Sequence, residues 1–199
     1  MNDQGTGLLS PMLRVFVALT IPEPTARQLL ATQSRLNEAT QRIGVNLRLT
    51  PSHQFHVTLA FLGNVTSEQI QSIVDVTVRS AARNSACQLS ARGLTALPPK
   101  GRARVIAVSF EETTGALLDL VTSLQAGLRV CGHALENRAF HAHITVARLR
   151  APQKIPQNSL GLTSAIEPFR CRDITVFQSV LRPDGAKYES LYSAPLRDI

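Results

Sequence analysis

An α+β fold of two similar lobes, each an antiparallel sheet with helices on one face and the other sheet faces lining a cleft, is what this sequence predicts. Three observations carry that expectation. The order strand, helix, strand, helix, strand nearly repeats in the second half of the chain. Neighbouring strand patterns adjoin at tight turns, which favours antiparallel pairing with helices packed on one side. Neither half places a Gly-rich phosphate loop after its first strand, so a doubly wound nucleotide-binding sheet is disfavoured. At 199 residues the chain can build one good-sized core, or two small lobes sharing one.

Residues 1–11 read as a flexible tail, leaving 12–199 as one bilobal domain. Leu13–Leu19 is a β-branched apolar run typical of a buried strand, stopped by Pro22 and Pro24. Ala26–Thr40 reads as a helix with Leu29, Leu30 and Leu36 on its apolar side. Leu47–Leu49 and Phe55–Leu62 read as strands, the second ended by Gly63–Asn64. Thr66 and Gln69 have capping-box spacing, and Ile70, Ile73, Val74, Val78 and Ala81 then follow at helical spacing. Cys87–Ala96 and Val105–Phe110 read as strands around the basic turn Pro98–Arg102. Thr114 caps a third expected helix, with Leu117, Leu118, Val121, Leu124 and Leu128 facing the core. His143–Leu149 is a strand and Ile155–Leu162 a loop or short helix. Ile174–Leu181 and Tyr188–Ser193 close the chain as a pair around Pro183–Asp184–Gly185.

Composition narrows the class of partner. With 21 Lys and Arg against 14 Asp and Glu, the formal charge is +7. That excess suits a polyanion, and nucleic acid before membrane, because no basic amphipathic helix stands out. The three cysteines, Cys87, Cys131 and Cys171, are odd in number and lack CxxC spacing. They fit neither a disulfide framework nor a zinc site and read as buried reduced thiols. No export signal and no apolar stretch of bilayer length appear, which points to the cytoplasm.

Two segments share a pattern: His56–Val57–Thr58 and His143–Ile144–Thr145. In a strand, residues i and i+2 point the same way, roughly 7 Å apart. Each segment therefore offers an imidazole and a hydroxyl to one face and an apolar row to the other. Two half-buried sheet histidines would give the same spacing. The chemistry nevertheless suits a phosphodiester: one imidazole as base, one as acid, and hydroxyls that donate to the non-bridging oxygens. No metal or other cofactor is required.

The two His-x-Thr segments, extended as His56–Gly63 and His143–Arg148, with the opening Arg14–Ala18 and the closing Ser179–Tyr188, resemble the 2H phosphoesterase superfamily. More narrowly they resemble the RNA 2′,3′-cyclic phosphodiesterases, historically called 2′-5′ RNA ligases, from about Leu13 to Leu196. The resemblance implies a bilobal antiparallel fold with the active site between lobes. It implies hydrolysis of an RNA 2′,3′-cyclic end to a 2′-phosphate, with 2′-5′ ligation as a related activity. It also implies His56 as proton donor, His143 as proton acceptor, and Thr58 and Thr145 as phosphate ligands. The implied partner is RNA carrying such an end, tRNA fragments included, met by a monomer. The chain departs from the family pattern at Ala142, where a proline commonly stands, and at Leu49, where an aromatic residue is frequent. A non-catalytic RNA-end binder and an enzyme on small cyclic nucleotides are the alternatives. Two intact motifs argue against the binder, since binding alone needs no second imidazole.

Other residues divide by strand parity and setting. Strict alternation puts Arg148 opposite His143, so it reaches the cleft for substrate binding only through a bulge or a turned strand end. Phe61 has the same parity problem and reads as core rather than a base-stacking platform. His141 flanks the site or is solvated, and His53 and His133 read as surface. Lys100, Arg102 and Arg104 form one basic group and Arg148, Arg150 and Lys154 another; either could grip an RNA backbone.

Overall fold

The computed structural model describes residues 11–155, 160, 166–183 and 185–198. Its elements in chain order are β1 (Met12–Thr20), α1 (Glu23–Arg42), β2 (Leu47–Leu49), β3 (His56–Thr66), α2 (Gln69–Arg83), β4 (Cys87–Leu97) and β5 (Ala103–Glu111). There follow α3 (Ala116–Val130), β6 (His143–Gln153), β7 (Phe169–Cys171), β8 (Asp173–Arg182) and β9 (Gly185–Pro195). The strands form two antiparallel sheets, in the orders β3-β1-β8-β9 and β2-β6-β5-β4-β7. One hydrophobic cluster joins them, running from Val15, Val17 and Leu19 on β1 to Ile144 and Val146 on β6.

The two-sheet α+β architecture matches the expectation, but the lobes are not successive halves of the chain. The first sheet takes β1 and β3 from the start and β8 and β9 from the end; the second takes β2 and everything from β4 to β7. The helices cross over too. Helix α1 packs on β2 and β6 of the second sheet, while α3 packs on α2 and on β3 of the first. Which apolar faces pair is decided by burial in three dimensions, and a linear pattern does not order it.

Local departures have local causes. Helix α1 begins at Glu23, not after the prolines, because Pro24 sits in the first turn, where a missing N–H costs nothing. The capping box of α2 is half realised: the Thr66 N–H donates to Gln69 Oε1 at 2.9 Å. Gly115, at φ 88°, holds the N-cap position of α3, while the Thr114 hydroxyl accepts from the Ala116 N–H at 3.3 Å and the Glu112 carboxylate from the Thr114 and Leu117 N–H groups. Strand β3 runs on through Gly63, whose φ of 71° fits a bulged strand rather than a stop. The short β7 was not expected.

Several burial expectations need correcting: Leu30, Val78 and Leu118, expected on the apolar stripes of their helices, are exposed, Leu118 by 62%. Cys87 and Cys171 are buried cross-strand partners, but Cys131 is exposed. His133, read as surface, is buried. Burial holds its imidazole below the ordinary histidine range. The tail at 1–10, most of the segment 155–162 and Asp184 lie outside the described residues. No helix among those residues is long and apolar enough to cross a membrane.

Candidate active site

Strands β3 and β6 bring the two motifs together on one cleft of about 1080 Å³ lined by His56, Thr58, His143 and Thr145. The alternation read from the sequence holds here. Val57 and Leu59 on β3, and Ile144 and Val146 on β6, are buried on the opposite side, so the apolar rows anchor the strands and leave the imidazoles half-buried.

Each imidazole is fixed in the same way. His56 Nδ1 lies 2.6 Å from the Gln54 carbonyl oxygen, and His143 Nδ1 lies 2.8 Å from that of His141. A carbonyl only accepts, so both Nδ1 atoms carry the proton. Both Nε2 atoms are then free to take or give one.

Their surroundings differ. The His56 ring is walled by Phe16, Tyr188 and Phe177, with centroids 4.9, 5.3 and 6.5 Å away. Burial pushes its pKa down to about 4; the Gln54 hydrogen bond opposes that shift, and the charges of His143 and Arg148 add to it. His56 is therefore neutral at pH 7 in the protein alone.

Both motif strands carry a bulge at the same place. On β3, Thr58 pairs with Ala18 and Ala60 with Val17, leaving Leu59 without a partner on β1. On β6, Thr145 pairs with Ala107 and Ala147 with Ile106, leaving Val146 without a partner on β5. The extra residue resets the alternation. Arg148 consequently joins His143 and Thr145 on the cleft, and Phe61 joins His56 and Thr58. Phe61, read as core, is 42% exposed, with the Arg14 guanidinium 4.9 Å from its ring centroid.

Other residues fall on both sides of the expectation. His53 lines the cleft from the turn before β3, and Leu49 lines it too, but Lys100, Arg102, Arg104, Arg150 and Lys154 do not. Arg102 instead donates to the Pro152 carbonyl at 2.7 Å, tying down its own hairpin. His141 is exposed and contributes its carbonyl. Cleft residues that sequence reasoning missed include Arg14, Arg48, Arg182 and Tyr188. Arg14 and Tyr188 lay inside segments already singled out, so their place in those patterns was a usable signal. Arg48 had none: it is brought in by β2, where it pairs across the strands with Arg148. Arg138 pairs with Glu136 on the cleft wall. Gln54 Nε2 donates to the Ala186 carbonyl at 2.5 Å and so ties this end of β3 to β9. Among the described residues no group of three or more His, Cys, Asp or Glu side chains is placed to hold a metal ion.

Known proteins resemble this chain at modest identity. The chain is 28% identical over 195 residues to an RNA 2′,3′-cyclic phosphodiesterase of Thermus thermophilus, covering 93% of this chain and 91% of the relative. It is 27% identical over 164 residues to one of Aeropyrum pernix, covering 80% and 92%. A Thermus thermophilus crystal structure superposes with a TM-score of 0.75 at 25% identity, covering 94% of this chain and 99% of that one. Escherichia coli LigT complexed with 3′-AMP shares the fold with a TM-score of 0.74 at 22% identity and the same coverage. The LigT like Phosphoesterase family profile matches residues 19–107 and again 108–188. With most of its length matched, the chain belongs to the LigT-like phosphoesterase family.

Proposed function

We propose that this protein opens the 2′,3′-cyclic phosphate at an RNA end to a 2′-phosphate without a metal, with His56 as proton donor and His143 as proton acceptor. The observation that carries the reading is the pair of imidazoles on one cleft, each with Nδ1 held by the carbonyl two residues back and Nε2 left for chemistry. His143 takes a proton from water, the water oxygen bonds to phosphorus, and the bond to O3′ breaks. His56 delivers its proton to O3′. Thr58 and Thr145 donate to the non-bridging oxygens as charge builds there. An anionic phosphate beside His56 raises its pKa, so substrate binding favours the protonated donor.

Phe61 supports a stacked base and Arg148 a backbone phosphate. The cleft is at the large end of small-molecule sites and carries Arg14, Arg48, Arg148, Arg182 and Lys187 along it, which favours RNA over a lone cyclic nucleotide. The buried free thiols Cys87 and Cys171 suit the reducing cytoplasm. A 5′-hydroxyl in place of water gives 2′-5′ joining by the same route.

The test is incubation in EDTA with an RNA oligomer ending in a 2′,3′-cyclic phosphate, followed by identification of the product end. A 2′-phosphate at undiminished rate is expected. A 3′-phosphate would overturn the polarity of cleavage, and loss of activity restored by zinc or manganese would overturn the metal-free mechanism. Adding an RNA with a 5′-hydroxyl tests joining.

A further inference from the structure

The bulges at Leu59 and Val146 turn Phe61 and Arg148 onto the cleft, and the carbonyl of each bulged residue takes a donor from outside the β1 and β5 pairings. A buried carbonyl needs a donor. At both bulges part of that demand is met by a glutamine from a helix. On β6, the Val146 carbonyl accepts from Gln33 Nε2 of α1 at 2.6 Å and from the Thr50 N–H at 2.9 Å. The same Gln33 amide donates to the Thr50 carbonyl at 2.8 Å. On β3, the Leu59 carbonyl accepts from Gln125 Nε2 of α3 at 2.9 Å, while the Gln125 side-chain oxygen accepts from Arg129 at 3.3 Å. Leu59 and Val146 are each the third residue after their motif histidine, so the correspondence is position for position. Gln33 is 4% exposed, and a primary amide buried that deeply is costly unless both its N–H groups are used. Here they are.

We infer that Gln33 and Gln125 are positioning residues, each bonding the bulge carbonyl that sets the fifth residue after a motif histidine, Arg148 and Phe61 respectively, onto the catalytic face. Each glutamine acts on the opposite half of the chain: α1 precedes the first motif and steadies the second, while α3 precedes the second and steadies the first. The inference rests on the proposed reading of the two motifs, but its mechanics can be checked separately.

The experiment compares Gln33→Met and Gln125→Met, which keep side-chain length and remove the donor. Activity is read on the cyclic-phosphate RNA in double-mutant cycles with Arg148→Ala and Phe61→Ala. Gln33→Met should lower kcat/KM about tenfold in the wild-type background and less than about twofold once Arg148 is alanine. With Phe61→Ala its loss should multiply in full. Gln125→Met should show the reverse partnership. Equal multiplication in both backgrounds, or a lower melting temperature with kcat/KM unchanged, would overturn the inference.

A second readout needs no activity. The Arg14 side-chain protons lie over the Phe61 ring, so their ring-current shift in NMR should vanish in Gln125→Met and persist in Gln33→Met. Loss in both variants or in neither overturns the crosswise assignment. If Gln33→Met does not fold, the Gln125 arm, whose side chain is only half-buried, still decides between the outcomes. A wild-type protein inactive on the RNA would refute the proposed function, while the NMR result would stand or fall by itself.

Discussion

Strands β3 and β6 present the same backbone device with different chemistry around it. Both carry an imidazole pinned through Nδ1, a threonine two residues on, and a bulge that turns the fifth residue outward. On β3 that fifth residue is Phe61, and the imidazole stands among Phe16, Tyr188 and Phe177. On β6 it is Arg148, with Arg48 beside it on the neighbouring strand. The difference teaches that the repeat fixes geometry while the neighbouring strands set electrostatics. A ring packed in aromatic surroundings loses hydration, and burial is the first cause of its low pKa. One half of the cleft is walled by aromatic rings, and the other carries Arg48 and Arg148 side by side.

The largest expected effects come from removing the imidazoles. His56→Ala and His143→Ala should each cost on the order of 10²–10⁴ in rate with the melting temperature nearly kept. A cyclic substrate with sulfur at the 3′ bridging position separates the roles, because a departing thiolate needs no proton. His56→Ala should then recover most of its loss and His143→Ala should not. Recovery by the other variant instead would exchange donor and acceptor.

Removing the hydroxyls should cost less. Thr58→Val and Thr145→Val keep shape and strand propensity, and each should lose about 1.5–3 kcal/mol in kcat/KM, falling more on kcat than on KM. If only one threonine matters, the phosphate is held from one strand and the symmetry of the site is broken.

The fifth residues should fail in different ways. Phe61→Ala should weaken binding by about 1–3 kcal/mol, the worth of one stacked base, and leave the salt dependence unchanged. Arg148→Gln should flatten that dependence by about 0.7 in log–log slope, one phosphate contact on a single strand. Salt titrations of KM on an RNA oligomer read both. The same slope change in both variants would sink the division of labour.

The gentlest test uses stability. With a folded pKa of about 4 against about 6.5 when unfolded, His56 binds more proton in the unfolded chain between those values. Stability should therefore fall as pH drops from about 6.5 towards 4, and be unaffected by this group above that window. The loss should be about 1–3 kcal/mol, discounted for the ring's open side. Denaturant titrations of wild type and His56→Asn should differ in this slope; parallel curves would mean that the ring keeps its proton in the fold.

Much of the site was legible because strand alternation is a local rule. His56, Thr58, His143 and Thr145 needed only a period of two to share a face, and the two-sheet class followed from element order and turn chemistry. Phe61 and Arg148 broke that rule together. A bulge is set by register against β1 and β5, which no residue within the motif announces. A weaker signal was available: Gln33, between Leu29 and Leu36 on the inner side of α1, is a polar residue where an apolar one would pack.

By itself, then, the sequence determined which polar residues share a strand face and which apolar rows anchor them, since both depend on neighbours one to four positions apart. Only the tertiary structure decided that the sheets interleave, that α1 and α3 each serve the distant motif, and that Arg14 and Arg48 line the cleft. Those facts rest on contacts between residues far apart along the chain, such as Gln33 with Val146. They form because buried carbonyls and apolar faces take the partners that packing brings within reach, whatever their order in the chain.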